Sequence, residues 1–221
     1  MKKTPTVALI LIPLLLIFMA GCQTAYYAAW EKLGKEKRHL LRDSVEKSQA
    51  EQEKASEQFK DALTRIKEVY QHDGGDLETF YSQLNGEYEA CRTRAERVES
   101  RINQVEEIGS DLFSEWEQEI SQISNPTFRQ KSAASLRQTK ARFASLQKAM
   151  NRARDQMDPV LQRLQDYVLY LKHNLNAQAL GALQSEVGSI EAEVQSLIED
   201  IGKSVREADA FLKDFSPETG G

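Results

Sequence analysis

The apolar residues of this 221-residue chain fall into four long series with helical spacing. In the clearest series, spacings of four and three alternate over about forty residues, which is the pattern of a helix packed along one face. Its members are Leu77, Tyr81, Leu84, Tyr88, Cys91, Ala95, Val98, Ile102, Val105, Gly109, Leu112 and Trp116. The pattern predicts helices over residues 24–71, 77–123, 127–174 and 177–213.

Turn-forming residues separate these series. Residues 72–76 contain two adjacent glycines, which permit the backbone angles that end a helix. The pair Asn125-Pro126 makes the second break, because proline disfavours a helical conformation in the residue before it. The third break, over residues 173–178, has two asparagines but neither glycine nor proline.

Pro159 interrupts the third series and leaves two arrangements open. The chain either reverses there, or passes through a kink and reverses near residues 173–178. At 1.5 Å per residue the first two helices are each about 70 Å long, whereas reversal at Pro159 would give a final helix of about 80 Å. Because a kink matches the lengths better, we predict a kinked helix over 127–174.

These elements predict an all-α fold, an elongated antiparallel coiled coil or bundle of three to four long helices, with a flexible tail at 216–221. Residues 44–56 are poor in large apolar side chains. We therefore expect neighbouring helices to hold the centre of the first helix, rather than its own apolar stripe.

The N-terminus is typical of an exported protein. Two lysines precede the apolar run from Val7 to Phe18, which is too short to span a bilayer, and small residues lead to Cys22. This arrangement resembles the lipobox of bacterial lipoproteins, so we predict cleavage after residues 1–21 and lipidation of Cys22. In such lipoproteins the following residue directs sorting, and Gln23 favours the periplasmic face of the outer membrane.

Cleavage would leave 200 residues and lower the formal net charge from −5 to −7, because Lys2 and Lys3 leave with the signal. An acidic, exported chain is a poor candidate for binding nucleic acid. Cys91 would be the remaining free thiol, so helix packing rather than a disulfide within the chain must provide stability.

Charge is unevenly distributed. Between Arg129 and Arg154 there are eight basic residues and no acidic ones, and we select Arg137, Lys140 and Arg152 as candidates for binding anionic lipid or an acidic partner. The preceding helix is acidic, however, and pairing across a hairpin is the favoured interpretation. Its acidic residues in this region are Glu99, Glu106, Glu107, Asp111, Glu115, Glu117 and Glu119.

A second candidate surface is the segment 167–171, which is apolar on all sides of a helix. Tyr167, Leu169 and Tyr170 are the candidate contact residues for an envelope partner. The competing interpretation, which we favour, is that this segment is the thickest part of the core.

No catalytic constellation is evident. The histidines His39, His72 and His173 are scattered and lack metal-ligand spacing. The tripeptide Gly202-Lys203-Ser204 matches the end of a phosphate-binding loop, but position 197 holds leucine where that motif needs glycine. We therefore expect a non-enzymatic protein without cofactor or metal.

Several runs of residues together resemble the bacterial domain-of-unknown-function family 2959. They are Cys22-Gln23-Thr24-Ala25-Tyr26-Tyr27, Asp73-Gly74-Gly75-Asp76-Leu77, Asp111-Leu112-Phe113-Ser114-Glu115-Trp116-Glu117, Pro159-Val160-Leu161, and Leu169-Tyr170-Leu171-Lys172-His173-Asn174-Leu175-Asn176-Ala177. The resemblance covers nearly all of the chain after the signal and implies a lipid-anchored helical protein of Gram-negative bacteria. It implies no activity.

Two classes of function follow. The leading hypothesis is a lipid-anchored periplasmic scaffold that offers a helical face to an envelope protein, with self-association left open. The alternative is a membrane-acting bundle whose helices rearrange to insert into lipid or to carry hydrophobic cargo.

Overall fold

The computed structural model describes residues 37–68 and 77–215, which form five α-helices. They are α1 (Lys37–Lys67), α2 (Leu77–Gln122), α3 (Pro126–Asp155), α4 (Met157–His173) and α5 (Ala177–Phe215). The described residues contain no β-strand, so the all-α prediction is confirmed. The predicted signal sequence with Cys22 and Gln23, the glycine turn at 72–76 and the tail at 216–221 lie outside the described residues.

Helices α3 and α4 form a single arm that lies antiparallel to α5. Arg142 Nη1, on α3, lies 2.9 Å from Asp214 Oδ2 on α5. Arg163 Nη2, on α4, lies 2.7 Å from Glu193 Oε1, also on α5. The two arginines are 21 positions apart along their arm, and so are their two acidic partners on α5. The pairing register therefore passes unchanged through the break between the helices, and the chain reverses after His173.

The break within this arm is at Gln156, three residues before the predicted kink at Pro159. Proline has no backbone N–H to donate to the carbonyl of Asp155, four residues earlier, and its ring crowds that carbonyl. The interruption therefore falls one turn ahead of the proline itself. Gln156 keeps helical angles, φ −80° and ψ −13°, so the chain bends without reversing.

The four arms form a square in which each arm contacts the next one along the chain. Helix α1 packs against α2 and α5, and the α3–α4 arm packs against the same two helices from the other side. Gln49 Nε2 donates to Asp209 Oδ1 at 2.9 Å and Lys67 pairs with Glu191, so α1 and α5 are antiparallel. We call the end with Lys37 and Phe215 the near end, and the end with the α4–α5 turn the far end.

A continuous apolar core runs along the bundle. Ile102 on α2, Leu146 on α3 and Leu197 on α5 are fully buried, as the heptad pattern requires. At the near end the core becomes aromatic, with ring contacts linking Phe113 to Phe143, Phe143 to Phe211, and Phe211 to Phe215.

The middle of α1 contributes a buried polar stripe, consisting of Ser44, Ser48, Gln52 and Ser56. Gln52 Nε2 donates weakly to Ser48, at 3.4 Å. Ser44 Oγ and Gln52 Oε1 are buried without a hydrogen-bond partner. The segment poor in large apolar residues is thus helical, and its small inward side chains are buried against the neighbouring helices α2 and α5.

Candidate interaction surfaces

Of the four large apolar side chains that are exposed in the described ranges, three lie at the far end. Leu169 is 48% exposed, Tyr170 38% and Leu175 44%. The first two are on the outer side of the last turns of α4, and Leu175 lies in the turn that follows. We call these three residues the far-end patch. Side chains of this size normally reach the core, so a group of them on the surface is a candidate contact site.

Tyr167, also a predicted contact residue, lies in the core. Its hydroxyl donates a hydrogen bond to the backbone oxygen of Glu186 at 3.2 Å, which ties α4 to α5. Burial raises the pKa of Tyr167 to about 12. The positive charge of Arg163 lowers this pKa, and the nearby carboxylates of Glu186, Glu193 and Asp166 raise it. Because one side of α4 faces inward, the apolar segment 167–171 divides into core and surface residues.

About half of the basic stretch is paired within the bundle. The four ion pairs are Lys140 with Glu117, Arg142 with Asp214, Arg152 with Asp200, and Arg154 with Asp155. One partner belongs to the acidic helix α2 and two belong to α5. Pairing across the α2–α3 hairpin therefore occurs, and the arm shares its charges with both neighbours.

The remaining basic residues, Arg129, Lys131, Arg137 and Lys148, are exposed. Within the described part of the chain none of them forms an ion pair. Of the three predicted basic candidates, Arg137 is thus exposed to solvent, while Lys140 and Arg152 form ion pairs within the bundle. Arg129 and Lys131 share the first turns of α3 with Phe128, which is 62% exposed.

The most deeply buried ion pair centres on Asp200, whose side chain is 2% exposed. Its carboxylate accepts from Arg152 Nε at 2.9 Å and from Lys203 Nζ at 3.1 Å. Burial alone would raise the pKa of Asp200, but these two hydrogen bonds and the two positive charges outweigh burial and lower it. Both cationic side chains are exposed, so the group ties α3 to α5 at the edge of the core.

Cys91 is a buried free thiol. Its Sγ lies 3.5 Å from the backbone oxygen of Gln58, and burial, with Glu87 and Asp61 nearby, raises the pKa of Cys91 to about 12. Since the thiolate is the reactive form, this residue serves packing between α2 and α1. Among the described residues no group of histidine, cysteine and carboxylate side chains could hold a metal ion.

Two residues of these surfaces, Asp200 and Phe128, were not among the candidate site residues predicted from the sequence. Asp200 occupies a seam position three residues after Leu197, which a search for apolar residues passes over. Phe128 lies two residues after Pro126, at the start of the third predicted helix, where the spacing of apolar residues does not decide whether a side chain is buried or exposed.

In the described ranges, no helix is long and apolar enough to cross a membrane. The bounds and register above define an antiparallel helical bundle of four long arms with two candidate contact surfaces. The chain belongs to a family of proteins of unknown function, DUF2959, whose model matches residues 26–215. This confirms the resemblance seen in the sequence. No curated protein matches the chain.

Proposed function

We propose that this protein is a non-enzymatic scaffold, anchored to the periplasmic face of the bacterial outer membrane by lipid on Cys22, that binds an envelope protein through its far-end patch. The observation that carries the proposal is the position of the patch. Leu169, Tyr170 and Leu175 lie at the opposite end of the bundle from Lys37, where the N-terminal segment enters.

The length of the bundle supports a role in which the far-end patch contacts a partner at a distance from the membrane. Helix α5 has 39 residues and extends between the two ends, which corresponds to about 58 Å at 1.5 Å per residue. A tether at the N-terminus would therefore hold the patch well away from the bilayer surface. The patch is flanked by exposed Lys172 and His173, so it suits an apolar partner surface bordered by acidic side chains.

Photo-crosslinking in cells tests the partner. A photoreactive residue at position 170 is expected to give a discrete protein adduct, while the same probe at Gln162, exposed on the same helix, gives none. Adducts to lipid alone at position 170, or equal adducts at both positions, would refute a partner site at the patch.

Metabolic labelling with palmitate tests the tether independently. The wild-type chain should incorporate the label and fractionate with outer membranes. Cys22→Ser should lose both properties, and labelling that persists in this variant would contradict lipidation at Cys22.

The polar stripe in α1 supports the alternative, a bundle that opens toward lipid or hydrophobic cargo. Buried polar atoms without partners, Ser44 Oγ and Gln52 Oε1, lower the cost of separating α1 from its neighbours. This hypothesis predicts that the full chain releases dye from vesicles. A crosslink between cysteines placed at Gln49 and Asp209 would then abolish release, because it locks α1 to α5.

A further inference from the structure

A second exposed surface lies at the near end, on the hairpin formed by α2 and α3. Lys37 Nζ pairs with Glu115 Oε2 at 2.9 Å, and the Arg38 guanidinium lies 5.1 Å from the centre of the Trp116 ring. Helix α1 therefore begins beside residues 115–116 of α2. Since α2 continues to Gln122, the hairpin extends about 9 Å past Lys37, the first described residue of α1.

We call residues 120–139 the hairpin tip. The described part of α5 ends at Phe215, beside Arg38, so it reaches only the inner turns of this segment, where Leu136 is buried. Trp116 Nε1 donates to Ser132 Oγ at 2.9 Å, so the turns of the tip between these two residues are the part of the described bundle that projects furthest past Lys37.

The side chains of the tip combine an exposed aromatic ring with unpaired positive charge. Phe128 is the most exposed of the large apolar residues described, at 62%. Arg129, Lys131 and Arg137 are exposed and form no ion pair within the described ranges, and residues 120–139 contain no acidic residue. Aromatic rings favour the interface of a bilayer, and Lys and Arg side chains are attracted to anionic headgroups.

The neighbouring sequence indicates what this surface meets. Residues 1–36 include the apolar run from Val7 to Phe18 and the predicted lipidation site, Cys22. They join the bundle at Lys37, at the same end as the tip. A membrane tether in this segment would bring the tip close to the bilayer, and in this respect the inference rests on the proposed function.

We propose that the hairpin tip contacts the surface of anionic phospholipid membranes. Phe128 enters the headgroup layer, and Arg129 and Lys131 bind lipid phosphates. A single exposed ring among dispersed charges suits a headgroup layer better than a protein, since a stable protein interface buries about 800 Å² on each partner. Contact at both Cys22 and the tip would hold the bundle by two points and limit its tilt.

Fluorescence quenching in vesicles tests this contact. The full chain, isolated from bacterial membranes with Cys22 intact, carries an environment-sensitive fluorophore on Phe128→Cys or, as the matched control, on Leu175→Cys. Both sites are exposed apolar positions, at opposite ends of the bundle, and Cys91 is buried. The parent chain without an introduced cysteine gives the background labelling.

Vesicles contain a spin-labelled lipid quencher and either phosphatidylcholine alone or phosphatidylcholine with phosphatidylglycerol. We expect strong quenching at position 128 with phosphatidylglycerol, weaker quenching without it, and none at position 175. Replacing Arg129 and Lys131 by glutamine should weaken the contact about fivefold for each charge removed.

Equal quenching at positions 128 and 175 would overturn the inference. So would quenching at position 128 that changes neither with phosphatidylglycerol nor on replacement of Arg129 and Lys131. A discrete protein adduct to a photoreactive residue at position 128 in cells would also overturn it, in favour of a protein-binding tip.

Flotation of the same vesicles separates this inference from the proposed function. A chain that floats while position 128 stays unquenched overturns the tip contact and leaves the tether standing. A chain that does not float overturns both. Absence of a crosslink at Tyr170 affects the partner proposal alone.

Discussion

At the scale of single residues, the contact between Gly109 and Phe143 determines how closely α2 and α3 approach. A Cβ atom added at Gly109 would lie 2.3 Å from Phe143 Cζ. Rings of Phe113 and Phe211, with centroids 5.2 and 5.8 Å away, hold Phe143 on two sides. The phenyl ring therefore has little room to move away.

Gly109→Ala should accordingly destabilise the bundle. Overpacking costs about 1–3 kcal/mol and the gain in helix propensity returns up to about 1 kcal/mol, so we expect a net loss of about 1–2 kcal/mol in the free energy of unfolding. Gly86→Ala on the same helix is the matched control, because apart from its chain neighbours and the adjacent backbone of its own helix no atom lies within 4 Å of its added Cβ, and it should stabilise slightly. Urea denaturation measures both, and equal effects would contradict a tight contact at Gly109.

The ion pair at Asp200 predicts a pH-dependent difference. Its pKa is lowered in the folded state, so its contribution to stability is present at neutral pH and is lost as the pH falls through a pKa below the ordinary value of 3.8. Arg152→Gln should cost about 1–2 kcal/mol at pH 7, where a charged and buried carboxylate loses a donor.

That cost should shrink as the pH falls through the pKa of Asp200 and the carboxyl group becomes protonated in both proteins, and the acid unfolding midpoint should move to higher pH. Arg154→Gln serves as the control, because its partner Asp155 is exposed and such pairs contribute little. A cost for Arg152→Gln that does not vary with pH would show that packing, not charge, is responsible.

At the scale of elements, the start of α3 depends on one side chain. Asn125 Oδ1 accepts from the backbone N–H groups of Thr127 at 2.9 Å and Phe128 at 3.2 Å, and Pro126 occupies the first helical position. Both features are the usual beginning of a helix.

Asn125→Ala should lower the free energy of unfolding by about 1 kcal/mol, because two backbone donors lose their acceptor. Ser124→Ala, at the exposed neighbouring position, should change it little. Hydrogen exchange at residues 127–131 should accelerate in the first variant alone, and unchanged exchange there would contradict the role of the cap.

The spacing of apolar residues predicted most of the helices, but it predicted less well which residues of each helix face the core. The spacing of α2 placed Leu84, Cys91 and Ile102 correctly in the core. In α5 the spacing of apolar residues leads from Ile201 to Val205 and Leu212, whereas Ser204 and Phe211 are buried and Val205 and Leu212 are only partly buried.

The physical reason is that adjacent residues are about 100° apart on a helix, and both can flank one seam. A serine at the seam hides the correct choice from any search for apolar residues. Exposure at the far-end patch and the tip depends on where neighbouring helices end, which the spacing of a single helix does not encode.

At the scale of the whole molecule, the path of the chain after α3 decides the shape. With α3 and α4 as one arm, residues 128 and 175 lie at opposite ends, about 70 Å apart at 1.5 Å per residue. A reversal at Pro159 would bring them to about 20 Å.

Electron spin resonance can measure this distance between nitroxide labels on Phe128→Cys and Leu175→Cys, in a chain that also carries Cys22→Ser. We expect a single long distance. A population near 20 Å would contradict the continuous arm, and Pro159→Ala should leave the long distance in place, because the register against α5 is the same on both sides of Gln156.

The shared register also has a mechanical consequence. If the near end is tethered and a partner pulls on the far-end patch, the force acts along the helix axes, from α1 to α4 through α2 and α5. Sliding these helices requires ion pairs and core contacts over the whole length, such as those of Arg142 and Arg163 with α5, to break together. The same contacts would break one after another if the helices were peeled apart. The bundle is therefore built to resist stretching along its length more strongly than unzipping from one end.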